Sequence, residues 1–115
     1  MDEFKIKSID DLKNKAFFYA VSMILFSIVN RSIDLGEEIV SNKNLGLPER
    51  YQDIFKLLER NNIINKKIMN VFSELIHFRN LAAHEYQTFK EEDVLKAYNK
   101  ISYVKIFVEM IKKAI

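Results

Sequence analysis

From Ala16 to Val29 the chain is almost continuously apolar, interrupted only by the small polar residues Ser22 and Ser27 and carrying no charge. Upstream, Ser8-Ile9-Asp10-Asp11 places a capping serine before two acids, and helical pattern continues from there without a breaker to about Asn42. A straight helix of that extent is roughly 45 Å long at about 1.5 Å per residue. Spanning a bilayer takes about 18 to 20 apolar residues. The run beginning at Ala16 is shorter and has charged flanks, so it reads as a core helix and not as a membrane span. A helix that is apolar all round has to be covered on several sides. Four helices of one short chain do not provide that, and a second copy of the chain is expected as cover.

Lys43-Asn44-Leu45-Gly46-Leu47-Pro48 then punctuates the pattern, with a glycine after a helix end and a proline suited to the first turn of the next helix. The second helix is predicted over Pro48 to Arg60, with Tyr51, Ile54, Phe55 and Leu58 at helical spacing, and Asn61-Asn62 ends it. A third begins near Ile64 or Asn65 and carries Ile64, Ile68, Val71, Phe72, Leu75, Phe78 and Ala82 on one stripe. Thr88 and Glu91 form a capping-box pattern that opens a fourth, which runs nearly to the terminus with Val94, Ala97, Tyr98, Ile101, Val104, Val108, Ile111 and Ile115 facing in. The expected fold is all-α: an antiparallel four-helix bundle with short connections, one domain over residues 1–115, and dimeric.

Composition agrees. Two glycines and one proline leave little material for hairpin turns, which argues against a sheet-rich fold. Eighteen Lys and Arg against sixteen Asp and Glu give a net charge of only +2, which excludes a polybasic nucleic-acid coat. Any RNA contact has to come from a local patch, either Arg79 with Lys66 and Lys67 or the C-terminal helix around Lys112 and Lys113. Absence of cysteine removes disulfides and thiolate metal sites and points to a reducing, cytoplasmic setting. The charged N-terminal residues lack a signal-peptide pattern.

Chemistry concentrates in Phe78-Arg79-Asn80-Leu81-Ala82-Ala83-His84-Glu85-Tyr86, which brings an arginine, a histidine and a tyrosine together in a chain with two histidines. Guanidinium can hold a phosphate bidentately and imidazole can move protons near neutral pH, a pairing suited to phosphodiester chemistry without metal. RNA supplies its own nucleophile. His84 is suited to activating the 2′-hydroxyl or protonating the leaving 5′-oxygen, Arg79 to stabilising the phosphorane, and Asn80 to orienting substrate or imidazole. At about 100° per residue, however, His84 lies about 140° round the helix from Arg79, while His77, Asn80 and His84 share a side. Either the helix unwinds before His84 or the working group is assembled between two protomers. A structural reading stands beside this one. An arginine and a histidine near a helix end also serve as cap and dipole partners, and Tyr86 also reads as amphipathic cover for the bundle's end. His77 with His84, joined by Glu74 or Glu85, lacks the close spacing of metal ligands, and no metal or other cofactor is expected.

The motif resembles the signature of the HEPN superfamily, and specifically of the HepT-like toxins that accompany a small nucleotidyltransferase. Leu45-Gly46-Leu47-Pro48 followed by Tyr51-Gln52-Asp53-Ile54-Phe55-Lys56-Leu57-Leu58 is similar to that family's linker and second helix, and the likeness covers about residues 16 to 110. Ala83 stands where many relatives have a branched apolar residue, and the segment before the first helix is shorter than usual. The resemblance implies a homodimeric helical bundle and a metal-independent endoribonuclease, the toxin of a toxin-antitoxin pair. It implies catalysis by Arg79 and His84 near the dimer interface, with Asn80 as the supporting polar residue. It further implies that Tyr86 accepts AMP from a cognate MntA-type nucleotidyltransferase antitoxin, silencing the toxin. A non-catalytic HEPN module that docks such a nucleotidyltransferase is the alternative.

Overall fold

A computed structural model describes residues 9–84 and 89–115. A 3-10 turn, Ile9–Leu12, precedes five helices: α1 Lys15–Asn42, α2 Tyr51–Arg60, α3 Lys66–His84, α4 Glu91–Lys100 and α5 Tyr103–Ala114. The described residues form an all-α fold. α1 packs on α2, α3 and α4, and α3 is the common neighbour of α2, α4 and α5.

The first helix starts later than its sequence suggests. Ser8 lies outside the described residues, and Asn14 is the residue that caps α1, its side-chain oxygen accepting from the Phe17 N–H at 3.0 Å. The 3-10 turn ahead of it inserts Leu12 into the core. Counted over its whole extent and not from Ala16 to Val29 alone, α1 is by length and composition apolar enough to cross a membrane. Its packing is that of a core helix: Val21, Leu25, Val29 and Ile33 are buried. Ser22 and Ser32 are buried too, and each hydroxyl donates to the carbonyl one turn back, Phe18 at 2.7 Å and Ile28 at 2.9 Å, so neither polar group is left unsatisfied. On the opposite side Tyr19 and Met23 are 61% and 66% exposed.

Asparagine, not glycine, stops both α1 and α2. Asn44 (φ 54°) and Asn62 (φ 61°) take the left-handed conformation that its short amide tolerates. The next N–H reaches back five residues in each case, Leu45 to Val40 at 3.0 Å and Ile63 to Leu58 at 2.9 Å, satisfying carbonyls that the helix end leaves open. Gly46, beyond the first stop, has φ 146° and lies so close to Leu57 that a Cβ there would meet its side chain at 3.0 Å. Pro48 precedes α2 by three residues instead of opening it, because the Asp53 carboxylate accepts from the N–H groups of Arg50 (3.0 Å) and Glu49 (3.1 Å) and sets the start at Tyr51. Asn65 does the same for α3, accepting from Ile68 N–H at 2.9 Å. The Thr88 half of the capping box expected for the fourth helix lies outside the described residues. Asp93 closes that start, accepting from Lys90 N–H at 2.9 Å.

The fourth helix expected from sequence is two helices, α4 and α5, joined at Ile101-Ser102 by i to i−3 hydrogen bonds, Ile101 to Tyr98 at 3.2 Å and Val104 to Ile101 at 3.0 Å. The joint shifts the phase of the inward face. Phe107, absent from the continuous stripe, is fully buried, and Ile115, at its end, is 83% exposed. Phe107 completes the centre of the core with Phe55 and Phe72. Their ring centroids are 4.4 Å apart for Phe55 and Phe72, 4.7 Å for Phe72 and Phe107, and 5.5 Å for Phe55 and Phe107. Offset and tilted aromatic contacts at such distances add to the burial of the rings themselves. This aromatic centre ties α2, α3 and α5 together and fixes the platform from which the end of α3 projects.

Candidate functional site

α3 remains α-helical through His84, its last residue. Unwinding before the histidine is therefore not how Arg79 and His84 come together. They nonetheless border one open depression of about 590 Å³, together with Tyr51, His77, Asn80 and Leu81. Arg79 gets there by bending round the helix: its Nη1 donates to the Asn80 side-chain oxygen at 3.1 Å, which carries the guanidinium toward the side where His77, Asn80 and His84 line up. A comparison of angular positions on a helical wheel takes no account of that reach.

Three helices hold the arginine. Phe78, 3% exposed, roots this part of α3 in the core, and Phe89 packs against it with a centroid separation of 5.5 Å. From α1, Asn30 accepts from Arg79 Nε at 3.0 Å, and the Phe26 ring centroid lies 5.4 Å from the guanidinium carbon. From α2, the Tyr51 ring lies 4.8 Å from the same carbon. Both aromatic distances fall within the roughly 6 Å over which a cation is attracted to a ring face. Asn30 and Asn80 are neutral amides, and among the described residues no carboxylate forms an ion pair with Arg79. A guanidinium has five N–H donors; two are used in these bonds, both to uncharged oxygens. Among the described residues the half-buried charge is thus oriented but not neutralised, which leaves it able to pair with an anion.

His84 and His77 are exposed, and Asn80 is half-buried. Tyr86 lies outside the described residues, two positions past His84 in the chain. Lys66 and Lys67 do not join Arg79 in a basic patch. Thirteen residues of α3 separate Lys66 from it, about 20 Å along the axis, and Lys67 sits 5.3 Å over the Tyr103 ring instead. Among the described residues no three of His, Asp and Glu gather as a metal site. Sequence reasoning missed Phe26 and Asn30 and took Tyr51 for a packing residue only. Asn30 carried a signal, as the first amide after the long apolar run of α1.

Comparison with known proteins agrees with this architecture. A family model described as Ribonuclease HepT-like matches residues 2–111, and the chain belongs to this HepT-like family. The mRNA nuclease HepT of Shewanella oneidensis is 28% identical over 81 residues, covering 70% of this chain and 61% of that protein. The chain therefore spans a little under two thirds of that relative's length. A solved structure of tri-AMPylated Shewanella oneidensis HEPN toxin in complex with MNT antitoxin superposes with a TM-score of 0.81 at 24% identity, covering 88% of this chain and 77% of the other. A toxin-antitoxin structure with AMP-PNP superposes with a TM-score of 0.79 at 23% identity, covering 86% and 76%. These two likenesses show a shared fold.

Proposed function

We propose that this chain is the toxin of a toxin-antitoxin pair, a single HEPN domain that acts in the cytoplasm as a metal-independent endoribonuclease. The observation that carries the reading is the Arg79 clamp: a guanidinium held by Asn30, Asn80, Phe26 and Tyr51, lacking a carboxylate partner among the described residues, and opening onto a depression that His84 also borders. Arg79 binds the scissile phosphate. As the 2′-oxygen bonds to phosphorus and the bond to the 5′-oxygen breaks, one proton leaves the 2′-hydroxyl and one reaches the departing 5′-oxygen. His84 carries one of these transfers, a type of help typically worth about 10² to 10⁴ in rate. Asn80 positions the guanidinium. The products are a 2′,3′-cyclic phosphate and a 5′-hydroxyl. Membership of the HepT-like family and likeness to an mRNA nuclease support this reading.

Assembly follows from α1. Its exposed Tyr19 and Met23, one turn apart, form an apolar strip that a second copy of the chain covers in a homodimer. The proposed regulator is an MntA-type nucleotidyltransferase antitoxin that transfers AMP to Tyr86. Its support is the similar toxin seen AMPylated and bound to MNT antitoxin. A bulky anion two residues from His84 would oppose phosphate binding by charge and volume.

The deciding experiment is cleavage of total RNA in EDTA by the purified protein, with Arg79→Ala and His84→Ala alongside and intact mass recorded for each. Cleavage by wild type that vanishes in both variants is expected. Full activity in either variant overturns the site, and no cleavage by an unmodified wild-type protein overturns the enzyme in favour of a docking module. A monomer by light scattering at micromolar concentration overturns the dimer.

A further inference from the structure

A groove of about 680 Å³ lies between α3 and α4, next to the Arg79 depression. His77 and Leu81 border both, so the two adjoin. We propose that this groove is a nucleotide subsite, seating the residue of a single-stranded RNA that adjoins the phosphate held by Arg79. The proposal rests on the ribonuclease reading above and deepens it.

Size, floor and rim each fit that occupant. Along α3 the groove extends from Leu81 back to Ser73, eight residues or about 12 Å, and its volume is within the roughly 300–1,000 Å³ of small-molecule sites. Half-buried Leu81, with the buried Leu75, Phe78 and Ala97 beneath, gives it an apolar floor against which a base can lie. Ala97 is the smallest of these, which keeps the α4 wall back from α3. On the rim, Lys96 and Lys100 stand one turn apart on α4 and face the same way. Among the described residues Lys96 has no ion pair. Lys100 reaches Glu74 across the far end at 3.3 Å, their side chains being 40% and 63% exposed, and a solvent-reached pair of this kind restrains its lysine only weakly. Glu74 and Asp93 line the groove as well, Glu74 paired with Lys100 and Asp93 accepting from the Lys90 N–H at the start of α4, so Lys96 is the cation that meets a phosphate beside the apolar floor. Gln52 of α2 and Asn99 of α4 offer amides that can read base edges, as sequence-specific recognition of unpaired RNA requires.

The test is steady-state cleavage of a fluorescent hexaribonucleotide in EDTA by the full chain, together with its binding to His84→Ala by anisotropy. Lys96→Ala and Ser73→Trp alter exposed side chains on opposite walls, and circular dichroism melting verifies that both variants are folded. Lys43→Ala, an exposed lysine outside the groove, is the charge control. Expected is a rise in KM of about 3- to 10-fold for Lys96→Ala and more for Ser73→Trp, with kcat within about twofold of wild type and the control unchanged. Wild-type cleavage with KM unaltered in both groove variants overturns the subsite and leaves the ribonuclease standing. An equal rise in KM for Lys43→Ala also overturns it, because general electrostatics would then account for the effect. A wild-type protein that neither cleaves nor binds the oligonucleotide overturns both.

Discussion

Replacing Arg79 by lysine keeps the charge and removes the fork, which separates the geometry of the clamp from its electrostatics. The guanidinium makes two hydrogen bonds, at 3.0 Å to Asn30 and 3.1 Å to Asn80, and two ring contacts, at 4.8 Å to Tyr51 and 5.4 Å to Phe26. An ammonium on a flexible stem cannot satisfy both amides, lie on both rings and still offer paired N–H groups to a phosphate. Each hydrogen bond to a charged group is worth about 1.5–3 kcal/mol. Losing one of the paired contacts in the transition state, about 2–3 kcal/mol, lowers kcat/KM roughly 30- to 160-fold. Stability is expected to fall by only about 1 kcal/mol, since water reaches the half-buried site and replaces part of what is lost. The assay is cleavage of a fluorescent oligoribonucleotide in EDTA, with thermal melting in parallel. Lysine activity within about threefold of wild type would refute the reasoning, because a bare positive charge would then suffice. Tyr51→Leu extends the test. It is expected to cost several-fold in kcat/KM in the wild-type background and clearly less once Arg79 is lysine; additive losses would mean that Tyr51 acts elsewhere.

Three further expectations concern the scaffold. Phe107→Ala should destabilise the fold by about 3–5 kcal/mol in urea denaturation, because it empties the position that touches both Phe55 and Phe72; a cost below about 1 kcal/mol would mean that α5 does not anchor the core. Gly36→Ala should lower stability by about 1–3 kcal/mol despite alanine's better helix propensity, since the added Cβ meets Ile54 at 3.0 Å and Leu58 at 3.4 Å and both neighbours are fully buried; a rise in melting temperature would refute this close approach of α1 to α2. Asp53 is held below the usual carboxylate pKa, chiefly by the hydrogen bond from the Arg50 N–H and then by that from Glu49. Its folded pKa being the lower one, its contribution is fully present above the unfolded value of about 4 and is lost as pH falls through the folded value. The difference in melting temperature between wild type and Asp53→Asn should therefore be largest near neutral pH and close on acidification; a gap independent of pH would show that charge is not involved.

Hydrophobic spacing carried most of the architecture because each helix buries a stripe that recurs every third or fourth residue, as in Ile68, Val71, Phe72, Leu75 and Phe78 of α3. The ends were harder to read. Helices stop on local geometry: the left-handed conformation of Asn44 and Asn62, the carboxylate of Asp53 and the amide of Asn14 decide boundaries that propensity leaves open. The joint at Ile101-Ser102 contains neither proline nor glycine, so no residue announces it. What rewards the bend is distant in sequence, the place between Phe55 and Phe72 that Phe107 fills.

The same division runs through the candidate site. The chain's own order placed Arg79, Asn80 and His84 within two turns of one helix, and residue chemistry alone pointed them toward a phosphate. Only tertiary structure brought Asn30 from forty-nine positions away, with Phe26 beside it and Tyr51 from α2, to orient the guanidinium without cancelling its charge. Side-chain chemistry is local and can be read from a sequence. The surroundings that hold Arg79 in one orientation are set by which helices pack together, and that depends on the whole core at once.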